Sequence, residues 1–272
     1  MITSIQKVLR IKELQGTKSI TEIAKELGLE RHTISKWFKR DYLPGELLSK
    51  KAKVRNNPFA NLNNRDCMYF LGLICTDGGL YKRCIDLALK EADLDIMEKY
   101  KIFLGSNVNI LKVSKKMGDK IFYSNRICFR NKEVYDYLHS LNITTNKTFT
   151  LSPNFPFTWD FIRGVIDGDG SFGFYQQRTP RIHIVTASSS FKDQLLSFFN
   201  SSNITLNLNQ IERNGRIYYN LVTNKKDTVL KIINYLYNDT ETFINRKFQT
   251  AEYLRNQILQ THQIQGTSVK ES

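Results

Sequence analysis

The pattern of polar and apolar positions changes period several times along the chain. In SITEIAKELGLERHTISKWFKR, residues 19–40, Ile20, Ile23, Ala24 and Leu27 recur at the helical spacing. Ser19 and Glu22 form a capping box at the start of that helix. Gly28 ends it, because glycine enters the left-handed region at little cost. Leu29 plugs the turn, and a second helix begins near Arg31 with Ile34, Trp37 and Phe38 inward. From 41 to 65 the periodicity is lost, and Pro44, Gly45, Pro58 and a run of asparagines mark a linker. The rest alternates between the two periods. CIDLALK (84–90) reads as a strand and EADLDIMEKYKIFLG (91–105) as an amphipathic helix with Leu94, Met97, Tyr100 and Leu104 on one side. VNILKVSKK and IFYSNRICFR are strands around Met117-Gly118-Asp119, and NKEVYDYLHSLNI is a helix. SFGFYQQR and RIHIVTAS form a hairpin through Thr179-Pro180, followed by the helix SFKDQLLSFFNSS. TLNLNQIER and RIYYNLVT flank Asn214-Gly215, a hairpin-turn signal. DTVLKIINYLY and FINRKFQTAEYLRN are helices, and the tail from about Leu259 reads as loose.

The pattern contains a repeat. MYFLGLICTDGGL (68–80) and DFIRGVIDGDGSF (160–172) superpose without a gap. Asp77 matches Asp169, Gly72 matches Gly164, and Gly78 matches Gly170, each at an offset of 92. The segments after the two copies are also alike, and both halves take the order α-β-β-α-β-β-α. The expected fold class is α+β: a tandem pseudo-twofold pair of such repeats, plus a small all-α unit. The corresponding segments are a helix–turn–helix over 1–42, a basic linker over 43–65, repeats over 66–152 and 153–258, and a flexible tail over 259–272.

Charge directs this fold toward a partner. Lys and Arg number 40 against 26 acidic residues, a net charge of +14. A surface this basic seeks a polyanion, and nucleic acid is the first candidate. An anionic membrane is the second, but no span-length apolar stretch and no long basic amphipathic helix stands out. The N-terminus lacks an apolar signal core, so an intracellular, cytoplasmic location is expected. The four cysteines, Cys67, Cys75, Cys84 and Cys128, form no CxxC pair, which argues against structural zinc. Cys75 and Cys128 lie in apolar runs and read as packed, reduced thiols.

The repeated helix end holds the candidate chemistry. A helix C-terminus carries partial negative charge, so a carboxylate there is disfavoured unless a cation offsets it. Gly72 and Gly164 would let the two helices pack backbone to backbone and bring Asp77 and Asp169 together. One aspartate before a glycine is an ordinary turn. Two in register, in a chain of this charge, point to a divalent metal acting on a phosphodiester. Hard oxygen ligands suit Mg²⁺ or Mn²⁺. An EF-hand is excluded, because its twelfth position counted from Asp167 is Arg178.

FLGLICTDG and IRGVIDGDG resemble the two signature helices of single-chain LAGLIDADG homing endonucleases, and the resemblance covers about residues 66–258. It implies a saddle of two four-stranded sheets on double-stranded DNA, with a long asymmetric target site and a monomeric protein. It implies metal bound by Asp77 and Asp169, and cleavage across the minor groove that leaves short 3′ overhangs. It further implies a basic catalytic residue in each half: Lys247, with Arg246 beside it, and Lys147, unless these are plain surface lysines. Two positions depart from the family pattern. The earlier acidic position is Asp167 in the second copy but Cys75 in the first. The polar position at the end of the second strand is Ala187 and Ser188 in one half and Lys90 in the other, so the two strands of DNA need not be cut at equal rates.

Further contacts to DNA are expected from three places. Residues 19–40 resemble phage and bacterial helix–turn–helix units, whose second helix would present Arg31, His32, Thr33, Ser35, Lys36, Lys39 and Arg40 to a major groove. Lys50, Lys51, Lys53 and Arg55 of the linker are either a solvated tether or an arm on phosphates. Among strand and turn positions, Gln177, Arg181, His183, Asn209, Arg213 and Arg216 suit base reading, while Lys82, Arg83, Lys112 and Arg126 are weighted toward phosphate. The expected activity is a homing endonuclease, intron-encoded or freestanding in a phage. The alternatives on the same fold are a non-cleaving transcriptional regulator and an RNA maturase; only the maturase would take RNA as partner.

Overall fold

The computed structural model describes residues 4–38, 54 and 56–268. Lys39, Arg40 and the linker residues Pro44, Gly45, Lys50, Lys51, Lys53 and Arg55 lie outside them.

The N-terminal unit contains three helices among the described residues: α1 (Ser4–Leu14), α2 (Ile20–Leu27) and α3 (Arg31–Phe38). The capping box forms as expected: the Ser19 hydroxyl accepts from the Glu22 N–H, and the Glu22 carboxylate accepts from the Ser19 N–H at 2.8 Å. Gly28 is left-handed at φ 59°, and its N–H donates to the Ala24 carbonyl. Helix α1 was not expected. Its Ile11 and Leu14, three apart, bury against Ile23, Ala24, Leu27 and Ile34. This small core shares no buried residue with the main one.

The main core is organised by α4 (Arg65–Thr76) and α7 (Trp159–Asp169). A Cβ on Gly72 would lie 2.4 Å from the Phe161 carbonyl oxygen, and one on Gly164 would lie 2.1 Å from that of Tyr69. The two backbones therefore touch, which only glycine permits. Each helix leads into a four-stranded antiparallel sheet. The first has the order β1-β2-β4-β3, from β1 (Gly78–Tyr81), β2 (Cys84–Lys90), β3 (Leu111–Met117) and β4 (Lys120–Arg130). The second repeats that order as β5-β6-β8-β7, from β5 (Gly170–Tyr175), β6 (Thr179–Thr186), β7 (Asn207–Arg213) and β8 (Arg216–Thr223). Helices α5 (Leu94–Phe103) and α6 (Lys132–Ser140) belong to the first half, and α8 (Ser189–Ser201), α9 (Lys226–Tyr237) and α10 (Asn245–Ser268) to the second. Alternate residues such as Ile85, Leu87, Ile127, Phe129, Ile182, Ile184 and Leu221 enter the common core. The opposite face carries polar and charged residues such as Asp86, Arg126, His183 and Asn209 together with exposed apolar ones such as Phe122 and Ile211.

Five local expectations are corrected. Strand β1 is built from Gly-Gly-Leu-Tyr, too short and glycine-rich to show alternation. The β5–β6 turn lies at Gln176–Arg178, with Gln176 and Gln177 at φ 49° and 60°. Thr179 and Pro180 belong to β6. Pro180 lies beyond the last β6–β8 pair, Ile182 with Thr223, so its missing N–H breaks no bond to β8. Leu94 opens α5 directly after a 3₁₀ turn and is exposed, and Ile96 replaces it in the buried stripe. Helix α10 continues to Ser268, through most of the expected tail. Cys128 is not a free thiol: it forms a disulfide with Cys84, its diagonal neighbour across β2 and β4. Strand pairing over long range brings these two sulfurs together, which an apolar run cannot reveal. Cys75 is free and buried, as expected.

Candidate active site and nucleic-acid interface

The two aspartates stand where the packed helices end. Asp77 caps α4, its N–H donating to the Leu73 carbonyl at 2.9 Å. Asp169 is the last residue of α7, and the N–H of Gly170 behind it donates to the Ile166 carbonyl. A third glycine brings the ends together. A Cβ on Gly168 would lie 2.0 Å from the Thr76 hydroxyl oxygen and 2.8 Å from Asp77 Oδ2. Thr76 is the counterpart of Gly168 in the other copy. One helix thus fills the space that the other leaves, and the mismatch between the copies was the available sequence signal.

Both carboxyl groups are open to solvent on one side and crowded by protein on the others. Crowding pushes Asp77 up to about 6, and repulsion from Asp169 adds to it, while Lys247 and Lys147 pull it back. Asp169 is raised for the same first reason, opposed by Lys147 and then Lys247. Both carboxyl groups are therefore harder to ionise than in free solution, chiefly because of the protein packed around them and despite the two lysines. A divalent cation would favour the ionised form of both, and hard carboxylate oxygens suit one. Among the described residues, no group of three or more His, Cys, Asp or Glu is placed to hold a metal. Two carboxylates would leave the remaining positions to water and substrate oxygens, as Mg²⁺ sites commonly do.

The two sequence-nominated lysines occupy equivalent places. Lys147 Nζ donates to the Gly78 carbonyl, and Lys247 Nζ donates to the Gly170 carbonyl and, at 3.2 Å, to that of Ile166. Each is thus anchored on the glycine that comes after its own half's aspartate. Burial lowers both lysines, and the charge coupling is crossed: Asp77 feels Lys247 most and Asp169 feels Lys147 most. A cavity of about 250 Å³ beside Asp169 is lined by Cys75, Lys147, Thr186, Ala187 and Tyr218. Ser188 does not reach it: the side chain is buried, caps α8 and donates to the Leu151 carbonyl at 2.6 Å. Lys90 lies close enough to Lys247 to lower it. The surroundings of the two lysines thus differ in charge, with a second lysine near Lys247.

Residues 157–236 match the family model of the LAGLIDADG-like domain, and residues 6–65 match that of the bacteriophage CI repressor helix-turn-helix domain. Among solved structures, the chain is similar to the meganuclease I-SmaMI bound to uncleaveable DNA. The identity is 12%, covering 73% of this chain and 91% of that one, at a TM-score of 0.50. It is likewise similar to the LAGLIDADG homing endonuclease I-GzeII in complex with its DNA target. There the identity is 13%, over 76% and 95% of the two chains, also at 0.50. The chain has the LAGLIDADG fold. No curated protein matches it.

On the open face of the second LAGLIDADG sheet, register groups the nominated contacts. Arg181 and His183 on β6 share that face with Tyr218 and Asn220 on β8 and with Asn207, Asn209 and Arg213 on β7. Arg213 lies opposite Arg216, a like-charge pair that destabilises unless an anion intervenes. Arg216 also stacks over Phe149, which reaches across from the segment carrying Lys147. Burial, then Arg181 and Lys247, lower His183, favouring a neutral ring. Gln177 stands in the left-handed turn between β5 and β6.

The first sheet departs more from expectation. Arg126 is on its open face but is bound by both oxygens of Asp86, at 2.7 and 2.9 Å. Lys112 pairs in register with buried Asn125 on the helix-covered face and binds Glu91 at 2.9 Å, so it is not brought to the open face. Lys82 and Arg83 form the β1–β2 turn, both at positive φ, beside Arg130 and Lys132. In the helix–turn–helix, Arg31, His32 and Lys36 are exposed on α3, while Thr33 and Ser35 are half-buried.

Two groups beneath the LAGLIDADG helices were not anticipated. Arg246 is held at 2.8 and 2.9 Å by buried Asp93 of the other half, which occupies it structurally. Arg163 is buried in α7, donates to the Thr242 and Leu236 carbonyls and pairs with Asp160. Buried Asp167 accepts from the hydroxyls of Tyr69 and Tyr237 and from the Ile244 N–H. Arg163, its partner Asp160 and Asp167 lie within eight residues on one helix, which was legible; the tyrosines and the backbone groups 70 or more residues away were not.

Proposed function

We propose that this protein is a site-specific endonuclease that hydrolyses both strands of double-stranded DNA as a monomer. The observation that carries this reading is the pair Asp77 and Asp169, at the ends of backbone-packed helices, each with an anchored lysine. The two aspartates hold one or more divalent cations, Mg²⁺ or Mn²⁺. When bound, the metal polarises the scissile phosphate and lowers the pKa of attacking water. Lys147 and Lys247 stabilise charge developing on phosphate, each from a fixed anchor, so little reorganisation is needed. The open sheet faces bind a long, asymmetric site, cut across the minor groove to give short 3′ overhangs. Arg181, His183, Asn209, Arg213 and Arg216 read bases, Gln177 reads from the turn, and Lys82 and Arg83 hold phosphate. The helix–turn–helix adds contacts through Arg31, His32 and Lys36, with Thr33 and Ser35 behind them.

Selection of cut sites from a random duplex library with Mg²⁺ tests the reading. Recovered cut sites should disappear with Asp77→Asn and with Asp169→Asn, while both variants still retard the selected duplex. Full Mg²⁺-dependent double-strand cutting by either variant would refute the two-carboxylate mechanism. Binding by the wild type without any cutting would make the protein a regulator on this fold.

A further inference from the structure

The position two residues before the motif aspartate differs between the copies, and its surroundings differ accordingly. In the first half it is Cys75, a free buried thiol, and the counterpart of Arg163 is Leu71. The backbone that carries Lys147 is held by its own turn, with the N–H groups of Thr150 and Leu151 donating to the Lys147 carbonyl. In the second half it is Asp167. Its Oδ2 accepts from Tyr69 Oη and Ile244 N, both at 2.8 Å, and its Oδ1 accepts from Tyr237 Oη at 3.1 Å. The Ile244 carbonyl then accepts from the N–H groups of Lys247 and Phe248, at 2.9 and 3.0 Å. This is the entry to the first turn of α10. Lys247 closes the circuit by donating to the carbonyls of Ile166 and Gly170, which flank Asp167 and Asp169 on α7 and β5. Arg163 ties the same incoming segment at Thr242.

We propose that Asp167 is a positioning residue that fixes the segment carrying Lys247. It thereby controls the part of the site that Lys247 serves and not the part that Lys147 serves. The proposal rests on the cleavage reading above and deepens it. Asp167 points away from the open groove into the network beneath it, so its action on phosphate runs through Lys247. A buried carboxylate with three donors over-determines the turn, and the half that carries cysteine at this position has no equivalent. The two strands of DNA are consequently served by half-sites of different construction.

The test uses the full chain and its isosteric variant Asp167→Asn. On an end-labelled duplex bearing the selected site, Lys247→Met first identifies the strand that depends on Lys247. Asp167→Asn should slow that same strand by about 10- to 100-fold, the range for outer-shell substitutions. The other strand should change by less than about twofold, as expected of an independent site. In parallel, lysine acylation is followed by mass spectrometry without DNA. Lys247 should be labelled faster in Asp167→Asn than in wild type, and Lys147 at an unchanged rate. Equal slowing of both strands, faster labelling of both lysines, or no change in either measurement would overturn the proposal. If the wild type cuts no duplex, the nuclease reading fails, and the labelling contrast alone decides the positioning. If Asp167→Asn does not fold, Tyr237→Phe removes one donor and must give the same one-sided pattern to a smaller degree.

Discussion

Asp77→Asn should make the protein more stable at neutral pH while abolishing the proposed cleavage. The ordinary carboxylate value is 3.8, and crowding together with Asp169 moves Asp77 to about 6. A folded-state value above the unfolded one means that folding favours the protonated form. The resulting stability is fully present below about pH 4 and is lost as pH rises through about 6. Taken whole, that displacement corresponds to a charging penalty of at most ~3 kcal/mol. The carboxyl is open to solvent on one side, which screens the interaction, so about 1 kcal/mol is the working figure. Asparagine keeps the shape and never ionises. The variant should therefore match the wild type at about pH 4 and exceed it by about 1 kcal/mol at pH 7.5, or roughly 2–4 °C in melting temperature. Thermal melts across that range in metal-free buffer measure the difference directly. Equal melting temperatures at pH 7.5, or a less stable variant there, would refute the claim that crowding at this helix end disfavours the ionised carboxylate.

Three further outcomes are expected. Gly164→Ala places a methyl 2.1 Å from the Tyr69 carbonyl oxygen with backbone on the far side, so overpacking should destabilise by about 3 kcal/mol or more; a denaturant midpoint unchanged from wild type would show that the helices are not in backbone contact. Arg163→Met leaves the Thr242 and Leu236 carbonyls without this donor and Asp160 with Arg65 alone, and should destabilise by about 3 kcal/mol by chemical denaturation. Deleting residues 1–42 should weaken DNA binding and lower its salt dependence while leaving Mg²⁺-dependent cutting at the same site, because the helix–turn–helix has a separate core; unchanged affinity in a gel-shift titration would assign that unit another task.

Much of the architecture was present in local pattern. The capping box at Ser19, the stop at Gly28 and the in-register motif copies arise from residues a few positions apart, where backbone propensity dominates. The same holds for the glycine pair Gly72 and Gly164: two helices ending alike, with a gap in side-chain volume at one position, have a single way of meeting closely. Local pattern failed where it was weak or where it competed with tertiary pairing. Strand β1 has no alternation to read, and the proline that marked a turn at Thr179-Pro180 was tolerated inside β6 because β8 does not reach it. Lys112 looked equivalent to Arg126, yet sheet register placed them on opposite faces, since one step along a strand reverses the side chain.

The sequence by itself determined the class of fold, its duplication, the cationic character of the chain and the identity of the paired aspartates, because these depend on periodicity, composition and repetition. Tertiary structure alone decided which charge meets which. Arg246, beside Lys247 in the chain, is bound by Asp93 from the other half, and each motif aspartate is drawn down more by the lysine anchored in the other half than by its own. Coulomb interactions and hydrogen bonds act over a few ångströms of space whatever the distance along the chain. The packing of α4 against α7 sets those distances.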